Sequence, residues 1–280
     1  MVEYSSSPNG ERFPLPSRED YTRESECLKE LVQYHRSLGR EIVVVMGLGF
    51  VGVVMAAVIA DAADKNKNPI KFVMGMQRPS TRSFWKIPWL NRGIAPVSSE
   101  DPLVGTMIDN CVNKKKTLTA TFTYDALKFA DVVVVDIQCD YVKDSIGNVR
   151  DGRADMKALE ESLEIIGQHI TPETLVLIET TVAPGTTEQV AYPIIRKMFR
   201  RRGIEHDPLI AHSFERVMPG KNYVASIRDF WRVCSGVSEE ATRRVVKFLK
   251  EVINTEKYPL TVLDRPIESE TAKIVENSFY

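Results

Sequence analysis

Residues 42–60 read IVVVMGLGFVGVVMAAVIA: five apolar residues, a loop broken by glycines, then an apolar stretch of helix length. Gly47, Gly49 and Gly52 form G-x-G-x-x-G directly after a strand and directly before a helix, the context that gives this short pattern its meaning. Working outward, apolar runs of strand length at 70–75, 117–122, 131–136, 173–180 and 207–213 alternate with helical stretches at 50–64, 155–169 and 187–202. Near-continuous Val and Ile strands separated by helices predict a parallel sheet covered on both faces. The expected fold is therefore α/β, a doubly wound, Rossmann-like and mainly parallel sheet. A further strand, FWRVCSG at 230–236, precedes a helix at 239–253, and YPLTVLD at 258–264 leads into a terminal helix.

The glycine loop implies a ligand. Gly47 permits a tight turn, Gly49 lets the backbone approach a pyrophosphate, and Gly52 lets helix and strand pack closely. The free N–H groups that open the helix, around Phe50 and Val51, bind phosphate at the positive end of the helix dipole. The next strand should close with Asp or Glu to hold the adenine ribose, but KFVMGMQRPSTR places Gln77 there, followed by Arg78, Ser80, Thr81 and Arg82. Gln77 can hydrogen-bond a ribose and the arginines can accept a 2′-phosphate, so NAD is the expected cofactor and NADP stays open.

Composition excludes several classes of partner. A chain of 280 residues, 43% hydrophobic and with a formal net charge of −1, is long enough for one large α/β domain or two smaller ones and lacks the basic excess that nucleic acid or an anionic membrane demands. The basic run RKMFRRRG at 196–203 reads as a helix end before Gly203. The four cysteines, Cys27, Cys111, Cys139 and Cys234, are scattered without a C-x-x-C pair, which predicts neither zinc site nor disulfide framework and makes a reducing cytoplasm the expected setting. No apolar run reaches the roughly 18 residues of a membrane span. The first twenty residues, rich in Ser, Pro and charge, read as a loose arm before a helix at 21–38. Pro88 between Trp85 and Trp89 argues against a continuous helix there.

Four segments in order, VMGLGFVGVVMA, IETTVAPGTTEQV, AHSFERVMPG and ESETAKIVENSF, together with LNRGIAPVSSED, resemble the UDP-glucose/GDP-mannose dehydrogenases over Glu41–Tyr280. The resemblance implies a nucleotide-sugar substrate whose C6 alcohol is oxidised to a carboxylate by two NAD-dependent hydride removals, with the aldehyde held on a cysteine and the thioester then hydrolysed. Carried over by motif, Thr181 would touch the cofactor and place a water, Glu215 would be the general base, and Lys273 with Asn277 would stabilise the oxyanion. These residue types suit those roles: a carboxylate takes a proton from water, and an ammonium and an amide one helical turn apart can donate to one oxygen. Simpler pairings also fit the spacing, Glu215 with Arg216 and Glu270 with Lys273.

The expected organisation is an arm and helix at 1–40, a dinucleotide-binding domain at 41–265, and at 266–280 the start of a connector helix that could support a homodimer. The nucleophilic cysteine of the family lies in a Gly-Gly-x-Cys segment beyond that helix, and IQCD at 137–140 replaces the family's Thr-Pro turn. Two expectations follow: the cofactor half of a nucleotide-sugar 6-dehydrogenase, inactive alone, or a catalytically silent dinucleotide-binding module with a regulatory or scaffolding role.

Overall fold

The computed structural model describes residues 2–142, 145, 152–217 and 220–279; Met218, Pro219 and Tyr280 of the segments quoted above lie outside them. The glycine unit folds as its pattern dictates. β3 (Glu41–Met46) is buried on both faces, and α2 (Phe50–Asp61) is buried all round from Gly52 to Ala60. That burial explains why neither shows a polar face. Before them stand β1 (Tyr4–Ser6), β2 (Arg12–Pro14) and α1 (Arg18–Ser37). After them come β4 (Lys71–Met76), α3 (Lys86–Asn91), α4 (Pro102–Asp109), β5 (Leu118–Thr121), β6 (Val132–Val135), β7 (Asp140–Val142) and β8 (Arg153–Asp155). The remainder is α5 (Lys157–His169), β9 (Leu175–Ile178), α6 (Tyr192–Arg201), β10 (Leu209–Ser213), α7 (Tyr223–Arg228), β11 (Val233–Gly236), α8 (Glu239–Val252), β12 (Thr261–Val262) and α9 (Pro266–Asn277).

The main sheet has the order β12-β11-β10-β9-β6-β3-β4-β5. All neighbours are parallel except β10 and β11, which pair antiparallel. From β3 the chain winds one way through β4 and β5, then returns to β6 on the other side and continues to β9 and β10. The crevice between the ends of β3 and β6 is thus the topological switch point, where open α/β sheets bind ligands. Val43, Val45, Val134 and Leu177 pack beneath α2 and α8, while Val44, Val133, Leu163 and Phe199 fill the opposite layer.

Three expectations need correction. The first twenty residues are not a loose arm: β1 and β2 form a hairpin turned at Gly10 (φ 87°), with Phe13 buried and Glu11 paired to Arg92 at 2.6 Å. Pro88 lies within α3, because it sits in the first turn, where a missing N–H breaks no helical hydrogen bond. The helix at 50–64 ends at Asp61, since the Asp64 carboxylate accepts the N–H groups of Asn66 and Asn68, each at 2.8 Å, and closes a turn instead. The stretch at 187–202 starts with a π turn at Thr187–Ala191 before α6. Its basic end is structural: Arg202 donates to the carbonyls of Gly167 and Ile170 at 2.9 and 2.7 Å. Among the described residues, no helix is long and apolar enough to cross a membrane.

Candidate functional site

The loop after β3 is shaped by what its glycines touch. Gly47 has φ 103°, and a Cβ there would collide with the Asp136 carbonyl oxygen beyond β6; a Cβ on Gly52 would overlap the Gly47 carbonyl. Gly49 is different: a Cβ there meets nothing within 4 Å, so its missing side chain leaves open space rather than a tight contact. That space belongs to a cavity of about 340 Å³ reached by Gly47, Gly49, Gln77, Arg78, Tyr124 and Glu161. This cradle at the N-terminus of α2, where backbone donors of the first turn lack helical acceptors, fits the pyrophosphate of a dinucleotide. Phe50 contributes its backbone while its ring stacks on Tyr223 (4.5 Å, 23°), and the Tyr223 hydroxyl donates to the Phe50 carbonyl. Val51 is half-buried beside it.

At the β4 side of the cavity, Gln77 Oε1 accepts the Leu48 N–H at 3.0 Å. Lys86 Nζ donates to the Leu48 carbonyl at 2.8 Å, and its half-burial lowers its pKa. Arg78 is exposed and lies 3.9 Å from Glu161.

At the β9 side the chemistry is buried. Arg232, just before β11, pairs with Glu179 at the end of β9 at 2.6 Å, with 1% and 0% of their side chains exposed. Asp136, at the end of β6, faces the same cluster, and its Oδ2 is buried without a hydrogen-bond partner. Burial raises the pKa of both carboxyls; for Asp136 the charge of Glu179 adds to it, whereas for Glu179 the Arg232 guanidinium opposes it. Lys273 on α9 is buried too, donating from Nζ to the Glu215 backbone carbonyl at 2.6 Å with the Glu215 carboxylate 3.8 Å away. Burial depresses the Lys273 pKa and the Glu215 charge works against that depression. His212 on β10 donates or accepts at 2.7 Å with Ser269 of α9, and burial, then Lys273, pushes its pKa down to about 3.

The structure thus brings Glu215 and Lys273 together, at the same end of the sheet as the glycine loop. Thr181 is half-buried in the loop that follows Glu179. Asn277 is exposed one turn beyond Lys273 and takes no part in the cluster. The simpler pairings do not form. Glu215 accepts the Val217 N–H, and Arg216 pairs with Glu276. Glu270 is buried and accepts the Gly185 N–H at 2.5 Å, the Thr187 N–H at 2.7 Å and the Thr187 hydroxyl at 2.6 Å. Sequence reasoning passed over Asp136, Glu179 and Arg232. Their signal was a charge at the end of each otherwise apolar run, VVVVD, LVLIE and RVC, because a charge beside a buried strand needs a buried partner.

A family model described as the UDP-glucose/GDP-mannose dehydrogenase family, NAD binding domain, matches residues 41–254. The UDP-N-acetyl-D-mannosamine dehydrogenase of Pyrococcus horikoshii is 26% identical over 85% of this chain and 50% of its own. The UDP-N-acetyl-D-glucosamine 6-dehydrogenase of Pseudomonas aeruginosa is 25% identical over 84% and 49%. Among solved structures, the NDP-N-acetyl-D-galactosaminuronic acid dehydrogenase of Methanosarcina mazei superposes with a TM-score of 0.74 at 28% identity, covering 90% of this chain and 49% of that one. The chain spans about half the length of these relatives. With the glycine cradle intact and the NAD-binding model matched across residues 41–254, the chain belongs to the UDP-glucose/GDP-mannose dehydrogenase family.

Proposed function

We propose that this chain is the cofactor-binding half of an enzyme that oxidises the C6 alcohol of a nucleotide sugar to a uronate, and that it does not turn over alone. The observation that carries this reading is the placement of the glycine cradle and the Glu215–Lys273 cluster at one end of the sheet, on either side of the switch point. NAD, when bound, accepts the hydride. The residues of the chain do the rest. The α2 N-terminus holds the pyrophosphate, and Gln77 lies at the adenosine ribose. The Lys273 ammonium, fixed by the Glu215 carbonyl, presents its remaining protons to oxygen that gains negative charge. The Glu215 carboxylate is positioned to take a proton from water, and Thr181 helps to place that water. Asn277, exposed one turn beyond Lys273, is the second donor to the oxygen that gains charge.

Absence of turnover by the chain alone follows from its thiols. Burial pushes Cys111 and Cys234 up to about 12 and Cys139 up to about 11, and Cys27, exposed on α1 and raised in the same direction, does not line the glycine cavity, so none offers the thiolate that a thioester route requires there. The test is calorimetric titration with NAD⁺, followed by a panel of UDP- and GDP-sugars monitored for NADH. Binding without NADH formation is expected. Binding of neither NAD⁺ nor NADP⁺ would overturn the proposal and favour a silent module, whereas steady NADH formation would refute the half-enzyme reading alone.

A further inference from the structure

The most informative feature outside the buried cluster is the residue that closes β4. An acid at this place offers two acceptor oxygens, one for the loop and one for the ribose 2′-hydroxyl, and repels a phosphate. Gln77 has one acceptor oxygen, and the Leu48 N–H turns it toward the loop at 3.0 Å. This bond fixes the amide orientation and leaves Nε2, a donor, as the group that faces outward; its protein neighbour, Ser83 Oγ, is at a long 3.4 Å. A donor now stands where an acceptor is usual.

The surrounding charge points the same way. Arg78 follows directly, with 73% of its side chain exposed, and its distance of 3.9 Å from a half-exposed Glu161 makes a loose, solvent-screened pair that leaves the guanidinium available. Lys86 places a second cation behind the Leu48 carbonyl. The hydroxyls of Ser80 and Ser83 share a hydrogen bond of 2.7 Å on the same segment, and with Ser83 as its donor Ser80 keeps a proton to turn outward. Glu161 is the carboxylate opposing these groups at the ribose side of the cavity, whereas Asp136 lies at the other side. A planar guanidinium beside a neutral amide donor and hydroxyls is the chemistry that holds a phosphate monoester.

We propose that the adenosine-ribose end of this cleft is a 2′-phosphate site, so that the chain binds NADP(H) at least as tightly as NAD(H), with Gln77 and Arg78 setting the choice. The inference rests on the proposed reading that the cleft holds a dinucleotide, and it adds which one.

Calorimetric titration of the full chain with NAD⁺ and NADP⁺, and with 5′-ADP and 2′,5′-ADP as half-ligands, tests it. The expected result is a dissociation constant for NADP⁺ equal to or below that for NAD⁺, with the same order in the half-ligands. Arg78→Ala should lower the NADP⁺-to-NAD⁺ affinity ratio about tenfold, the size of one charge-assisted hydrogen bond. Gln77→Asp should lower it further, roughly 100-fold, because it restores an acceptor and adds repulsion. NAD⁺ binding tenfold tighter than NADP⁺, or a ratio that neither substitution moves, would overturn the inference and leave the proposed function standing. Failure of both dinucleotides to bind would overturn the two together.

Discussion

The two ends of the site carry charge in opposite ways. At the β9 end, Glu179 and Arg232 are sealed from solvent and each holds the other's charge in place. At the β4 end, Arg78 and Glu161 stand largely in water, 3.9 Å apart. Coulomb's law is the same at both, but the medium is not: a buried pair is expensive to break because the survivor is left uncompensated, whereas an exposed pair contributes about 0–1 kcal/mol. The buried end therefore resists change and holds the polar groups of the proposed chemistry. The exposed end is free to vary, and ligand choice can be altered there without threatening the fold.

Substitutions separate the two ends, and the largest effect belongs to Arg232→Met. It should destabilise the chain by about 3–5 kcal/mol, measured by urea unfolding, by leaving Glu179 buried and alone. The double variant with Glu179→Gln should recover much of that loss; if it does not, the pair is not what makes the β9 end costly. Next are the glycines between the ends. Gly52→Ala forces a Cβ into the Gly47 carbonyl and should cost about 1–3 kcal/mol, while Gly49→Val, whose Cβ meets open space but which replaces a favourable N-cap, should cost about 1 kcal/mol or less and abolish dinucleotide binding in calorimetry.

A smaller effect comes from His212, held neutral in the buried end. Its folded pKa of about 3 lies below the ordinary 6.5, so its contribution is present above pH 6.5 and is lost as pH falls toward 3. The stability gap between the wild type and His212→Asn, measured by denaturant titration at each pH, should narrow over that interval. A gap that widens would mean that the imidazole is charged in the folded chain. Smallest of all, Arg78→Ala should change unfolding stability by less than about 0.5 kcal/mol, which thermal unfolding can check against the loss at Arg232.

These differences also mark what the sequence disclosed. The strand, loop and helix at 42–60 were legible because adjacent residues settle them: apolar runs, glycine spacing and helix length all lie within one unit. The partners of the charged residues were not. Glu215 has Arg216 beside it in sequence, yet Arg216 turns to Glu276 and Lys273 comes to Glu215 across the fold. Glu270 and Lys273 are spaced for a helix pair, but Glu270 instead serves the loop at 185–187. Spacing proposes a neighbour, and burial decides the partner. The hairpin at 4–14 was missed for a related reason, since its strands are short and its anchors, Phe13 and the Glu11–Arg92 pair, depend on a surface built some eighty residues later.

The three hydrogen bonds accepted by Glu270 have a consequence for motion. They fasten the middle of α9 to backbone and side-chain donors of the segment between β9 and α6, so neither can open while the other stays closed without stranding a carboxylate in the interior. The amides of Gly185 and Thr187 should then exchange hydrogen at the same slow rate as those of Glu270 to Lys273 in the second turn of α9, as one cooperative unit. Beyond Lys273, where Ile274, Val275 and Asn277 are exposed, the helix should exchange faster. α9 is a lever with a fixed root and a compliant tip.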